Sequence, residues 1–342
     1  MRVLFYSSVS NKKLFTITGF YLQDIKAIEL ANHKVITTNS YTDFLKYWNY
    51  DVSFLYFYKK SIIPGMISFF FKKKIIYTGG IDELSNEVDV NQYKKIVFKI
   101  LFFLNYLISD FCNIVSKNDL KNTTLFLNKC FCRTNKLIYF PHCIDINFFN
   151  EYANNNEKEN IITTICWMGT IGNVKRKGVD KSLVLFKKIL SYNPLFKFYI
   201  IGTLGIGKSY LDDIIEENDL KQNVIFTGPI DENKKIELLY KSKFYLQISK
   251  YEGFGIAVIE AMLCNNYIIH SGKGGLADTI GNNGLVIDDF NNINDYFLKF
   301  IDINENLTDY KVTLETNKNF VNTNFTIQTR SLNLNILISY EK

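Results

Sequence analysis

Phe140-Pro141-His142-Cys143-Ile144-Asp145 runs into an Asn- and Glu-rich stretch at 150–160, and the reading of that junction decides the fold. A proline behind an aromatic run, followed by a polar segment, marks an exposed linker. Working outward, the chain reads the same way on both sides. Upstream, short β-rich runs at 3–6, 34–38, 52–56 and 74–77 alternate with segments of helical length and spacing at 21–30 and 93–107. Downstream, strand-like runs at 161–167, 196–201, 223–227, 244–248 and 267–270 alternate with helical ones at 180–190, 210–217, 234–241 and 255–263. Near-continuous apolar strands separated by helices imply parallel sheets covered on both faces. The expectation is therefore α/β: two Rossmann-like, doubly wound domains, 1–148 and 149–324. A final helix within 325–342 should cross back onto the first. Two such domains facing each other would form a cleft at the carboxyl ends of their strands.

Composition agrees with a folded protein of two domains. The chain has 342 residues, 47% hydrophobic and 22% charged, enough apolar material to exclude global disorder. Forty Lys and Arg against 34 Asp and Glu leave a net charge of +6. That suits an anionic ligand or an anionic membrane surface and falls short of the basic stripe of a nucleic-acid binder. No secretory hydrophobic region opens the sequence, and the apolar run 100–108 is interrupted by Asn105. A cytoplasmic protein with reduced thiols is expected, so the Asn-x-Ser/Thr matches at Asn122, Asn306 and Asn324 carry no weight.

Two segments bear on phosphate chemistry. Gly202-Thr203-Leu204-Gly205-Ile206-Gly207-Lys208-Ser209 satisfies the G-x-x-x-x-G-K-[ST] phosphate loop letter for letter. It follows the second strand of its domain, however, and no Asp-ended apolar strand accompanies it, so a glycine-rich strand-to-helix turn is the preferred reading. Tyr251-Glu252-Gly253-Phe254-Gly255-Ile256-Ala257, continuing to Glu260, places a glycine-flanked turn directly before a helix. Such a helix start offers unpaired N–H groups and a positive dipole end to a phosphate. A carboxylate beside a phosphate would be repulsive unless it met neutral hydroxyls. Glu252 in the turn and Glu260 in the helix therefore point to sugar recognition, one carboxylate for each of two polyols.

Glu252-Gly253-Phe254-Gly255…Glu260-Ala261 resembles the paired-glutamate signature of the retaining glycosyltransferases of family four, which have the GT-B architecture. Ser116-Lys117-Asn118-Asp119-Leu120, the 141–149 hinge, Lys177-Gly178-Val179-Asp180, Gly202…Gly205, 223–228 and Gly274-Gly275-Leu276…Thr279-Ile280 resemble other family segments in order. The resemblance implies a transferase moving a hexose or N-acetylhexosamine from a nucleoside-diphosphate sugar, UDP in preference to GDP. The acceptor would be a glycan or lipid-linked one in bacterial surface polysaccharide synthesis (O-antigen, capsule or lipopolysaccharide). By the same resemblance Glu260 would hold the ribose diol and Glu252 the transferred sugar. The backbone of Gly253, Phe254, Gly255, Ile256 and Ala257 would meet that sugar and the diphosphate, and Lys177 would neutralise the leaving group. Gly202 and Gly228 would line the donor site, as would Gly79 and Gly80 of the first domain.

The chain departs from the family at Gly172, where an Arg is usual, with Lys175 and Arg176 as the replacements on offer. It also has Thr78-Gly79-Gly80-Ile81-Asp82 where many relatives carry a His. No metal is expected, since Lys177, its neighbours and the helix dipole supply the positive field, and no cofactor beyond the nucleotide sugar. Two basic aromatic segments, 69–74 and 93–104, raise the expectation of peripheral contact with the inner membrane. Two rival readings stand beside the transferase. One is a P-loop nucleotidase or kinase using Lys208 and Ser209. The other is a nucleotide-sugar-binding homologue that has lost catalysis.

Overall fold

The computed structural model describes every residue except 86, 89, 90, 154–156, 282, 341 and 342. The chain forms two compact units, Met1–Asp145 with Asn324–Lys342, and Ile146–Thr323.

The first unit is a six-stranded parallel sheet of β1 (Arg2–Tyr6), β2 (Lys34–Thr38), β3 (Val52–Tyr56), β4 (Lys74–Thr78), β5 (Phe111–Ile114) and β6 (Leu137–Tyr139), in the order β2-β1-β3-β4-β5-β6. Its central strands carry apolar side chains on both faces, as a sheet with helices on both sides requires. Along β1 and β3, Leu4, Tyr6 and Leu55 enter one core. Val3, Phe5, Phe54 and Tyr56 enter the other, with Leu334, Leu337 and Ile338 of the last helix, Ile327–Ser339. That helix packs against Gly19–Leu30 and closes the sheet's second face.

A buried ion pair fixes this arrangement. Arg330 Nε and an Nη donate to the two Asp24 carboxylate oxygens at 2.8 Å each. The other Nη donates to Phe140 O at 2.7 Å and Pro141 O at 3.1 Å, and Tyr56 Oη donates to Asp24 Oδ2 at 2.5 Å. Every acceptor thereby has a donor, the condition for tolerating charge in a core.

The second unit is also six-stranded and parallel: β7 (Glu159–Ile165), β8 (Lys197–Ile201), β9 (Val224–Gly228), β10 (Ser242–Gln247), β11 (Tyr267–His270) and β12 (Leu285–Val286), in the order β12-β11-β10-β7-β8-β9. Strand order reverses between β7 and β10, so the crevice beyond their carboxyl ends is where a doubly wound sheet binds ligand. The described residues of 150–160 are mostly exposed, as composition suggests, between two regular elements. Ile146–Asn150 is helical with Phe149 buried, and β7 begins at Glu159. Lys158 Nζ donates to Ser242 O at 2.8 Å and Cys264 O at 2.7 Å, which lie just past the ends of two helices. Within the stretch, 154–156 lie outside the described residues. In segment 69–74, Phe69 and Phe70 end the helix Ile62–Phe70, and Lys74 opens β4.

Candidate functional site

The loop after β7 enters the helix Ile171–Lys177, capped by the Thr170 hydroxyl accepting from Asn173 N at 3.2 Å. It ends at Gly178, whose φ of +68° is the left-handed helix stop that glycine alone adopts without strain. A Cβ at Gly178 would overlap Ile248 O, so glycine also permits close approach to the loop after β10. The two loops are joined there by Lys250 N donating to Arg176 O at 2.7 Å and an Arg176 Nη donating to Tyr251 O at 3.1 Å.

This junction gathers three of the charged candidates. Lys177 Nζ lies 2.6 Å from Glu252 Oε2, and an Arg176 Nη lies 3.9 Å from the same oxygen. Gln247 Nε2, at the end of β10, donates to it at 2.7 Å. Burial pushes the Glu252 carboxyl up, but Lys177 and Arg176 outweigh it and hold the group below its ordinary value. Lys175 points elsewhere, its Nζ 5.0 Å from the centre of the Tyr210 ring. Of the two cations beside Lys177 in sequence, Arg176 and not Lys175 thus joins it near Glu252. Gly172 itself is open, with nothing within 4 Å of a Cβ built there.

Beyond Glu252 the chain turns through Gly253 and Phe254 to Gly255, at φ +97°, and begins the helix Ile256–Leu263. Val258 N and Ile259 N are the first to bond back, both to Gly255 O. The amides of Ile256 and Ala257 precede them at a half-exposed helix tip, the arrangement that receives anions. Gly275 N donates to Glu252 O at 2.6 Å, and a Cβ at Gly274 would overlap that same carbonyl. The loop after β11 therefore braces the turn.

Glu260 is buried on the following helix and meets Lys235 Nζ at 2.9 Å; Lys235 also meets Glu232 at 2.7 Å. Burial raises the Glu260 carboxyl and Lys235 offsets this only in part. Burial would lower Lys235, but Glu260 and Glu232 together bring it up to about 12.

Sequence reasoning missed three residues here. Lys235 follows Lys234 in an exposed-looking run, and only its i+4 spacing from buried Leu239 marks it as inward-facing. Gln247 is the polar end of an apolar strand. Tyr245, two residues earlier, donates its hydroxyl to Gln247 Oε1 at 3.0 Å and accepts from Ile165 N at 3.2 Å, so Gln247 is held with its amide toward Glu252.

The apparent phosphate loop is spent on packing. Gly207 N donates to Met168 O at 2.9 Å, Met168 N to Thr203 O at 2.9 Å, and Lys208 Nζ is paired with Asp212 at 2.6 Å. Gly202, at φ +140°, donates to Gly228 O at 3.3 Å. In the first unit Gly79, at φ +114°, follows β4, with Gly80 beside Asp82.

Residues 150–319 match the family model "Glycosyl transferases group 1". The phosphatidylinositol N-acetylglucosaminyltransferase gpi3 subunit of Schizosaccharomyces pombe is 26% identical over 104 residues, 30% of this chain and 23% of that protein. The chain thus spans about a quarter of the length of such curated relatives. Sucrose-phosphate synthase from Thermosynechococcus elongatus superposes over 99% of this chain and 98% of its own, with 14% identity and a TM-score of 0.76. Anabaena HepE in complex with UDP and glucose does so over 99% of each chain, with 15% identity and a TM-score of 0.73. The chain as a whole has the GT-B fold, and the family match falls within its second unit.

Proposed function

We propose that the protein is a retaining glycosyltransferase of family four that takes a nucleoside-diphosphate sugar, UDP-linked in preference to GDP-linked. The acceptor is a glycan or lipid-linked sugar of a bacterial surface polysaccharide, extended on the cytoplasmic side. One observation carries the reading: Glu252, Lys177 and Arg176 converge at the β7/β10 switch point, directly ahead of the tip of the helix that carries buried Glu260. HepE, of the same fold, is in complex with UDP and glucose, which favours uracil.

In this reading the amides of Ile256 and Ala257 and the cations Lys177 and Arg176 receive the diphosphate. They stabilise the negative charge that collects there as the glycosidic bond breaks. No metal is needed for that task. Glu252 accepts from sugar hydroxyls and Glu260 from the ribose diol, while Gln247 keeps Glu252 oriented. Retention follows from attack on the face the phosphate leaves, the phosphate oxygen taking the acceptor's proton. Lys208, on a loop whose Gly207 and Lys208 amides bond Met168 O and Gly205 O, has no part.

A thermal-shift panel of UDP, GDP and their sugars tests this, because a ligand that binds only the folded state raises its stability. UDP-sugars should raise the melting temperature with chelator present, and the shift should vanish in Glu260→Gln. Stabilisation by ATP and magnesium that depends on Lys208 would overturn the reading.

A further inference from the structure

The helix Gln92–Ile108 is apolar on two sides. Phe98, Phe102 and Tyr106 enter the core of the first unit. A second stripe at Tyr93, Ile96, Val97, Ile100, Leu104 and Leu107 lies outward, with Tyr93 74% and Ile96 56% exposed. A helix apolar all round is ordinarily buried all round, so the outer stripe lacks a cover.

Its neighbour repeats the pattern. The helix Ile62–Phe70 packs beside it, and the crossovers from β3 to β4 and β4 to β5 put both on one face of the sheet. Phe70 at this helix's end is 75% exposed, and Ile63, Met66 and Phe69 are exposed with it.

Charge selects what covers this face. Segments 59–75 and 91–109 hold eight lysines and no Asp or Glu. Lys59 is paired with Glu83 on the turn after β4. Lys72, Lys94 and Lys99 lie at the borders of the apolar surface, on or beside the two helices, with Lys73, whose Nζ is 5.3 Å from the centre of the Tyr50 ring. A second copy of the same chain would bring lysines against lysines, a like-charge contact that disfavours self-association. An anionic lipid surface meets both requirements, aromatic and aliphatic side chains entering the acyl boundary and lysines meeting headgroups. Among the described residues no helix is long and apolar enough to cross a membrane, so the contact would lie in the membrane plane.

The geometry points to this two-helix face as a docking surface for an anionic membrane. The inference does not rest on the transferase reading.

Sedimentation with vesicles of phosphatidylcholine alone, and with about one-third phosphatidylglycerol, provides the test. The whole protein should pellet with the anionic vesicles, less so at high salt. Reversal of the four charges (Lys72→Glu, Lys73→Glu, Lys94→Glu, Lys99→Glu) should lower partitioning more than about tenfold. Phe70→Ser with Ile96→Ser should weaken it with the charges intact, and both variants should keep the parent's melting temperature and nucleotide affinity. Absence of vesicle binding, or binding indifferent to both sets of changes, would overturn the inference. So would a concentration-dependent dimer in sedimentation velocity that Phe70→Ser with Ile96→Ser dissolves.

Discussion

Lys177 Nζ and Glu252 Oε2, 2.6 Å apart, form an ion pair that ties the loop after β7 to the loop after β10. The lysine that would neutralise a leaving diphosphate is therefore already neutralised by the carboxylate that would hold the sugar. Ligand binding has to divide the pair. The two substitutions then differ in sign. Glu252→Gln removes the anion competing for Lys177, so nucleoside diphosphate should bind several-fold more tightly, while kcat for transfer falls about 10²-fold or more. Lys177→Met should weaken nucleotide binding and transfer together. It also leaves a nearly buried carboxylate facing only Arg176 and Gln247, at a cost of up to about 3–5 kcal/mol. Calorimetric titration with UDP, beside turnover, separates the cases. Equal losses of nucleotide affinity in both variants would contradict the shared-lysine account.

The pair depends on Gly178. Its φ of +68° and the closeness of Ile248 O leave no room for a side chain, although the residue lies between two helices where alanine is intrinsically better. Gly178→Ala should destabilise the second unit by about 2–4 kcal/mol through left-handed strain and overlap. It should also weaken nucleotide binding by moving Lys177 away from Glu252. Gly172→Ala, two turns earlier in open space, is the control: helix propensity favours it by up to about 1 kcal/mol. Urea midpoints of both variants decide the matter.

How much of this was legible in the sequence follows from how local each signal is. Strands such as Val52–Tyr56 and Tyr267–His270 are rich in β-branched and aromatic residues and could be read directly. Phe111–Ile114 could not, because Asn113 interrupts it; that amide is buried, bonding Thr78 Oγ1 at 3.0 Å and Phe140 N at 3.1 Å, partners a linear reading cannot supply. The two-residue Leu285–Val286 gives no periodicity at all. At the site, Glu252 and Glu260 stood out because turn, glycines and helix start lie in one short run. Lys235 and Gln247 did not, since their meaning comes from residues 25 and five positions away across the fold. The phosphate-loop match is local in the same way: its letters say nothing of Met168 and Asp212, which engage Gly207 N and Lys208 Nζ.

The Asp24–Arg330 pair should govern the acid stability of the first unit. Burial pushes the Asp24 carboxyl up, and Arg330 reverses this, holding it below 3.8. A carboxyl whose native value is depressed contributes stability that is complete above the unfolded value, near about 3.9, and is lost as pH falls through the native one. Unfolding followed through the C-terminal helix should therefore ease steadily below about pH 4, with a flatter profile in Asp24→Asn. At neutral pH Arg330→Met should cost about 3–5 kcal/mol by stranding a buried carboxylate. Adding Asp24→Leu should recover only part, because Phe140 O and Pro141 O still lack their donor, at about 1–3 kcal/mol each. Full recovery would show those carbonyls to be satisfied otherwise.

Lys235 should set the pH range over which Glu260 serves a ribose. Burial raises the Glu260 carboxyl, Lys235 lowers it, and Glu232 adds to the rise. An ionised carboxylate accepts two hydroxyl donors, whereas a protonated one presents a proton to one of them. In the parent protein the nearby ammonium opposes that rise, so UDP affinity should change less between about pH 6 and 8 than it does without the ammonium. Lys235→Met removes the lowering influence and leaves burial and Glu232 unopposed. UDP affinity in that variant should fall as pH drops across the same window and recover as it rises. Glu232→Gln should move the parent the other way, holding Glu260 ionised to lower pH. Calorimetry with UDP at three pH values reads this directly. A Lys235→Met protein that folds, binds UDP and shows no more pH dependence than the parent would count against Glu260 in the nucleotide site, since a carboxylate that touches the ribose cannot change its charge without changing that affinity.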